Sequence, residues 1–531
     1  MLKLISFLCL GAVVAIPARA VEFDLARTSI TMPTDRTFQM PLTASDPSGG
    51  PLTFSVVSIK PKVLLGTISP SSNRSLVLNV SGVDSNNTPF TGTLVLQLYE
   101  DLMPLTTARI ITLVNSNFYN GLTFYRVVQD FVCQGGNMTG TGVIIDDEYV
   151  ATLQFTGFGQ LAMANSGHDT SDAEIFITDA DASVDDPADQ SPQYLDFSYN
   201  LFGQLTQGFD VLEKILGTPV DASNNDLPLT PVVINTATIT NDTQDGVLRL
   251  AAGTEFTGTV AVTVKVMNVS KESVEQTLTV NVIPNTVNDP PFFGPIPASL
   301  NITQGQAASF ILKTIDVDDD QLSLDLTDTA TGQFPTNLQV SIDSTSHLWL
   351  VPDPTTTGTV NLVIGVTDNQ SNHQDDTKGF SVNIQPRSAM PTLTIVPKSG
   401  AITAATNGNT GRITLSGSFT FVDQHTFGSN DIVALTIGDQ TVPFTLTYPP
   451  AEPGFSAKKG VVTLKSSATN GPTISAQFNS VKDTFNISVS KFDFPGTQNN
   501  PLQIGLQIGQ DYGTNVLQWT STKPGVFTLP K

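Results

Sequence analysis

The chain has 531 residues, with 25 Lys and Arg against 48 Asp and Glu, a formal charge of −23 and 39% apolar residues. That length exceeds one ordinary core and implies roughly three or four domains. So acidic a surface repels phosphate backbones, which excludes nucleic acid as a partner.

Residues 1–20 read as a secretory signal. Lys3 supplies the positive start, "LISFLCLGAVVAIP" the apolar segment, and Ala18 to Ala20 a small-residue cleavage site. The competing reading, a membrane anchor, is short of the roughly 18 apolar residues that a span needs. No later segment is apolar enough to cross a bilayer, so no transmembrane segment is expected after signal removal. Loss of Lys3 and Arg19 takes the charge to −25. The expected location is outside the cytoplasm: periplasm, cell surface or extracellular space. Of the two cysteines, Cys9 leaves with the signal. Cys133, beside Phe131 and Val132, is expected as a buried thiol. A mature chain with one cysteine has no internal disulfide, which suits a bacterial envelope better than an animal ectodomain.

Beyond the signal, three stretches share an L-x-L strand, a loop, and Thr-Gly-Thr opening a second alternating strand. They lie at 74–98, 246–266 and 347–367. Period-two alternation marks half-buried strands. A first β-sandwich is therefore expected over 21–92, completed by 243–285. Between its halves, "DLMPLTTARIITLVNSNF" (101–118) and "GFDVLEKILGT" (208–218) carry helical spacing, the second closed by Gly217. This marks an α+β unit over 93–240. The Pro-rich "VIPNTVNDPPFFGPIP" (282–297) and "QPRSAMP" (385–391) bound a second sandwich over 288–386. A strand-rich domain occupies 390–531.

Within the central unit, "FYRVVQDFVCQGG" (124–136) sets one arginine among aromatic and β-branched residues and ends in a double glycine. A cation there is either paired or placed to touch something. This stretch resembles the signature of the cyclophilin-type peptidyl-prolyl isomerases. The blocks "GTLVLQLYEDLMPLTTARIITLV", "GQLAMANSGHDTSDAEIFIT" and "QYLDFSYNLFGQLTQGFDVLEKI" resemble other parts of that family in the same order. The resemblance implies a closed eight-stranded barrel with two helices, flanked here by β-sandwich domains in a mostly-β multidomain chain. It implies an isomerase that twists X-Pro amide bonds in proline-containing protein segments, with no cofactor.

Carried over, Arg126 matches the catalytic arginine, and Phe131, Phe176 and Leu195 match the proline-pocket walls. Gln134 matches the glutamine that steadies the arginine, and Ala164 and Asn165 match substrate-backbone positions. This chain departs from the family's usual residues at Val132, Glu174, Tyr194 and Tyr199. Glu174 stands where glutamine is usual, and a carboxylate opposite Arg126 is expected to draw on the guanidinium.

The acids around "NDPPFF" (288–293), "IDVDDDQLSLDL" (315–326) and "VTDNQ" (366–370) resemble those of cadherin-like and related Ig-like sandwiches of bacterial surface proteins. That resemblance makes Asp289, Asp316, Asp318, Asp320 and Asp368 candidate calcium ligands, against the alternative of solvated acidic turns. His168, His347, His373 and His425 are scattered, without metal spacing, and are expected as loop or surface residues. Two functions follow. One is an exported isomerase that assists folding of secreted or envelope proteins. The other is a surface adhesion or scaffold protein, with cell-surface partners, whose cyclophilin-like domain binds proline segments with little turnover.

Overall fold

The computed structural model describes residues 21–529 except 61, 180–191, 305–307, 334, 336–337, 343–345, 353–355, 369–375, 387–391, 405–409, 423–430, 439–443, 449–454, 468–471, 495–497, 499 and 510. The expected leader over 1–20, His373 and His425 lie outside them. Among the described residues no helix is long and apolar enough to cross a membrane. The chain divides into two compact units. The first comprises residues up to Phe292 with Ile315–Ser323 and Thr367–Asp376; the second holds the remainder.

At the centre of the first unit is a closed antiparallel barrel of eight strands. Around the barrel they run Gln160–Met163, Ile175–Thr178, Val132–Gly136, Thr123–Val128, Val232–Thr240, Ser75–Val83, Pro89–Leu98 and Leu201–Gln207, the last pairing with the first. Closure removes both sheet edges. The helix Pro104–Asn115 buries Ile110, Ile111, Leu113 and Val114. Its proline start suits a first turn whose amides lack intrahelical partners, and Glu148 accepts from the amides of Leu105 and Thr106. The helix Phe209–Leu216 buries Val211, Leu212, Ile215 and Leu216. Gly208 precedes it at φ 91°, and a Cβ there would lie 2.1 Å from the Thr93 carbonyl oxygen, so only glycine fits.

The barrel begins earlier than residue 93. Ser75–Val83, read from the sequence as a sandwich strand, pairs with Pro89–Leu98 and Val232–Thr240. Its alternating Leu76, Leu78 and Val80 enter the barrel core with Leu94, Leu96 and Leu98. Alternation identifies a half-buried strand but not the core that buries it.

The strands on either side of the barrel in sequence form two four-stranded sheets. One orders Glu22–Leu25, Thr37–Ser45, Asp245–Ala252 and Leu64–Ile68; the other Ser29–Pro33, Ser273–Ile283, Gly258–Met267 and Thr53–Ser58. Their shared core includes Met32, Leu42, Leu250, Val262 and Val280. Val247 of this layer packs into the barrel core, and Thr43 donates to the Thr206 carbonyl at 2.9 Å.

Ser299–Thr303, Asp376–Gln385, Gly358–Thr367 and Ser323–Asp328 form a four-stranded sheet, most of whose residues fall in the second unit. A three-stranded sheet holds Ala308–Ile311, His347–Pro352 and Leu338–Ile342. Towards the C-terminus an eight-stranded and a four-stranded sheet enclose Phe419, Phe478, Phe485, Ile504 and Trp519.

Candidate active site

The signature segment is a hairpin of the strands Thr123–Val128 and Val132–Gly136. A register shift between Phe124 and Arg126 leaves Tyr125 as the extra residue, and Arg126 opposes Gln134. Bulges of this kind re-aim side chains. The double glycine is a close-approach site. A Cβ on Gly135 would meet Phe124 at 2.9 Å, and Gly136, at φ 110°, would meet the Ala173 carbonyl oxygen at 2.8 Å.

Register then assembles one row across four strands. Arg126 opposes Gln134, Gln134 opposes Phe176, and Phe176 opposes Ala162. Directly paired residues share a sheet face. Arg126 is half-buried and places its guanidinium carbon 5.7 Å from the Phe131 ring centre, within cation–π range. Phe131 packs against Tyr194 at 5.7 Å. Phe176 stacks on Phe155 at 5.9 Å and meets Tyr199 edge-on at 5.4 Å. Phe176, Val132, Leu195 and Ala164 are buried, whereas Tyr194 is 47% exposed. The floor is thus apolar and fixed, and the rim carries a cation and a phenol. Burial pushes the Tyr194 phenol up to about 12, with Tyr199 adding and Arg126 opposing, so it stays a neutral donor.

Asn165 donates its side-chain amide to the Ser198 carbonyl at 2.8 Å and accepts from the Gly167 amide at 3.2 Å. The Ala164 amide donates to the Glu174 carbonyl at 2.9 Å. Glu174 does not hold Arg126. Its carboxylate accepts from the Gln134 amide at 3.3 Å, and among the described residues no carboxylate lies within ion-pair distance of Arg126. Gln134 therefore meets both, pairing with Arg126 across the hairpin and donating its side-chain amide to Glu174. Burial raises the Tyr125 phenol, with Glu174 adding. Sequence reasoning missed this residue, since nothing in the pattern marks the bulge.

A second missed group lies beneath the pocket. Arg36, 1% exposed, donates to both carboxylate oxygens of Asp289 at 2.8 Å and also pairs with Asp196. Asp196 follows Leu195 and accepts from the Phe155 amide, the residue stacked on Phe176. Burial would lower the Arg36 guanidinium, but Asp196 and Asp289 hold it above its ordinary value. Burial pushes the Asp196 carboxyl well up, with Arg36 opposing and Asp289 adding.

The calcium candidates divide. Asp316, Asp320 and Asp368 bring carboxylate oxygens within 4.8 Å of one another. Asp289 is committed to Arg36, and Asp318 accepts from the Asp289 amide and the Asn285 side chain. Those two carboxylates serve the fold around the Pro-rich segment. Cys133 is fully buried with its thiol pushed up, first by burial.

A half-buried guanidinium beside an apolar slot can donate to a nitrogen that becomes basic as an amide twists. It needs no nucleophile and no proton transfer. The comparisons with known proteins agree with this chemistry. Residues 83–239 match the model of the cyclophilin type peptidyl-prolyl cis-trans isomerase family. The chain is 34% identical over 151 residues to peptidyl-prolyl cis-trans isomerase-like 1 of Homo sapiens, covering 27% of this chain and 84% of that protein. It is 33% identical over 156 residues to peptidyl-prolyl cis-trans isomerase 10 of Caenorhabditis elegans, covering 28% and 89%. Peptidyl-prolyl cis-trans isomerase-like 3 of Dictyostelium discoideum is 31% identical over 156 residues, covering 28% and 89%. With its closed barrel, two helices and arginine-lipped apolar face, the chain belongs to the cyclophilin-type peptidyl-prolyl cis-trans isomerase family and has that isomerase activity.

Proposed function

We propose that this protein is an exported isomerase that speeds rotation of X-Pro bonds in proteins folding outside the cytoplasm, and that Arg126 is its catalytic residue. The observation that carries the catalytic assignment is the guanidinium of Arg126, without a carboxylate partner among the described residues and 5.7 Å from the Phe131 ring centre. Resonance in the X-Pro amide sets a barrier of roughly 18–20 kcal/mol. Twisting localises the lone pair on nitrogen. Arg126 donates a hydrogen bond there, while Phe131, Val132, Phe176 and Leu195 hold the pyrrolidine ring. The preceding carbonyl then turns against a fixed ring. Ala164 and Asn165 meet the substrate backbone, and Tyr194 and Tyr199 wall the slot.

Export rests on the charge, apolar run and small-residue site of residues 1–20. The β-rich modules on either side would position the isomerase near its clients at a surface. Two measurements test the reading. NMR exchange on a proline peptide with the full chain should show accelerated cis–trans exchange. Mass spectrometry of protein recovered from outside the cytoplasm should give a mature start at residue 21. Retention of residues 1–20 in an exclusively cytoplasmic protein would refute export and leave the isomerase assignment standing.

A further inference from the structure

A group of side chains outside the proline site has the chemistry of a metal centre. His168 Nδ1 lies 3.4 Å from Asp147 Oδ2 and 3.3 Å from Asp376 Oδ1. All three ligand atoms fall within 4.8 Å of one another, and all three residues belong to the first compact unit. The two carboxylates are 0% and 1% exposed, whereas the imidazole is 30% exposed. Two buried carboxylates thus converge on one imidazole nitrogen. Three groups that can each ligate a metal therefore converge on one point.

The spacing says which kind. Zinc binds imidazole nitrogen and carboxylate oxygen at about 2.0–2.2 Å with tetrahedral geometry. The edge of such a tetrahedron is about 3.4 Å, which the two nitrogen–oxygen distances match. They are long for hydrogen bonds between these atoms. A nitrogen ligand also disfavours calcium, which takes oxygens, and favours a borderline metal such as zinc. The surroundings orient the ligands. The Asp169 amide donates to Asp147 Oδ2 at 2.9 Å, and the Asp147 amide donates to Asp169 Oδ1 at 2.7 Å. These reciprocal bonds tie the loops bearing two of the ligands to each other.

We infer that Asp147, His168 and Asp376 form a zinc site, with the fourth position open to water on the exposed side of the imidazole. The metal would join Asp376, which belongs to the first compact unit, to two barrel loops of that unit. One of these loops runs from Asn165, a substrate-backbone position of the proline site, so the zinc would act by positioning that loop and not on the X-Pro bond. The three ligands are spread over 229 sequence positions, which is why no metal spacing is visible in the sequence.

The test uses the full chain without added histidines, stripped with chelator and dialysed against zinc or cobalt. The expected result is one zinc per chain, and a cobalt derivative with the strong visible absorption of tetrahedral coordination. His168→Ala and Asp376→Asn should each weaken zinc by more than the roughly 100-fold upper range for outer-shell changes. Asp316→Asn, in the separate all-carboxylate cluster, should bind as wild type does. His168 is partly exposed, so its substitution decides the matter even where Asp376→Asn perturbs folding. Absence of stoichiometric zinc, unchanged affinity in His168→Ala, or a weakly absorbing octahedral cobalt spectrum would each overturn the site.

Discussion

Glu174 shows how little a residue type says without its partner. A carboxylate beside a catalytic guanidinium could attract it by roughly 4 kcal/mol at 4 Å and an effective dielectric of 20, before desolvation and entropy are subtracted. Here the carboxylate is turned to Gln134 instead. Glu174→Gln should therefore change kcat/KM by less than the tenfold that about 1.4 kcal/mol produces. A gain above tenfold would show that Glu174 restrains Arg126 in solution. Cys133 yields a second residue-scale expectation. With the thiol fully buried and its pKa raised, an alkylating reagent should label the folded chain far more slowly than the denatured one. Labelling at equal rates would place the thiol at the surface. The identities of the proline-site residues were legible in the signature and its ordered companion blocks. Their partners were not: register and the bulge at Tyr125 set Gln134 opposite Arg126, and a side-chain hydrogen bond turns Glu174 to Gln134.

Among the elements, the Arg36 cluster binds the strand entry at Thr37 to the turn carrying Leu195. Removing the cation leaves Asp196 and Asp289 buried without their countercharge, keeping the hydrogen-bond donors Phe155 and Gln154 respectively. Arg36→Met should cost about 3–5 kcal/mol, the range for breaking a buried pair by deleting one partner. It should also weaken peptide binding, because Asp196 supports the Phe155 backbone behind Phe176. A variant with unchanged denaturation midpoint would contradict this. Asp245, at the start of the strand Asp245–Ala252, gives a pH prediction. Burial pushes its carboxyl up to about 7, with Asp242 adding and Gln207 opposing. The folded state then holds a proton that the unfolded chain has lost above about pH 4. Stability from this group falls as pH rises from about 4 to 7. Asp245→Asn should flatten that decline in denaturation series, and an unaltered slope would count against it. The three Thr-Gly-Thr stretches were legible as strand pairs. That the first belongs to the barrel and the second to the sheets around it was not, because alternation carries no information about which core a strand faces.

Across the whole molecule, the barrel is completed by residues ahead of the similarity the eye finds first. Without Ser75–Val83 and the start of Pro89–Leu98, a fragment 93–240 would have two broken ladders and an open barrel. It should show no cooperative thermal transition, and a sharp one would contradict the boundary. The sheets outside the barrel draw strands from before residue 70 and after residue 244, so barrel and supporting sheets fall within one compact unit. The most direct test of the account compares kcat/KM of the full chain and its Arg126→Ala variant in a protease-coupled prolyl assay. Loss of one transition-state donor should lower the rate constant by about 10²–10³ with an unchanged circular dichroism spectrum. A folded variant with wild-type kcat/KM would contradict the assignment of catalysis to Arg126.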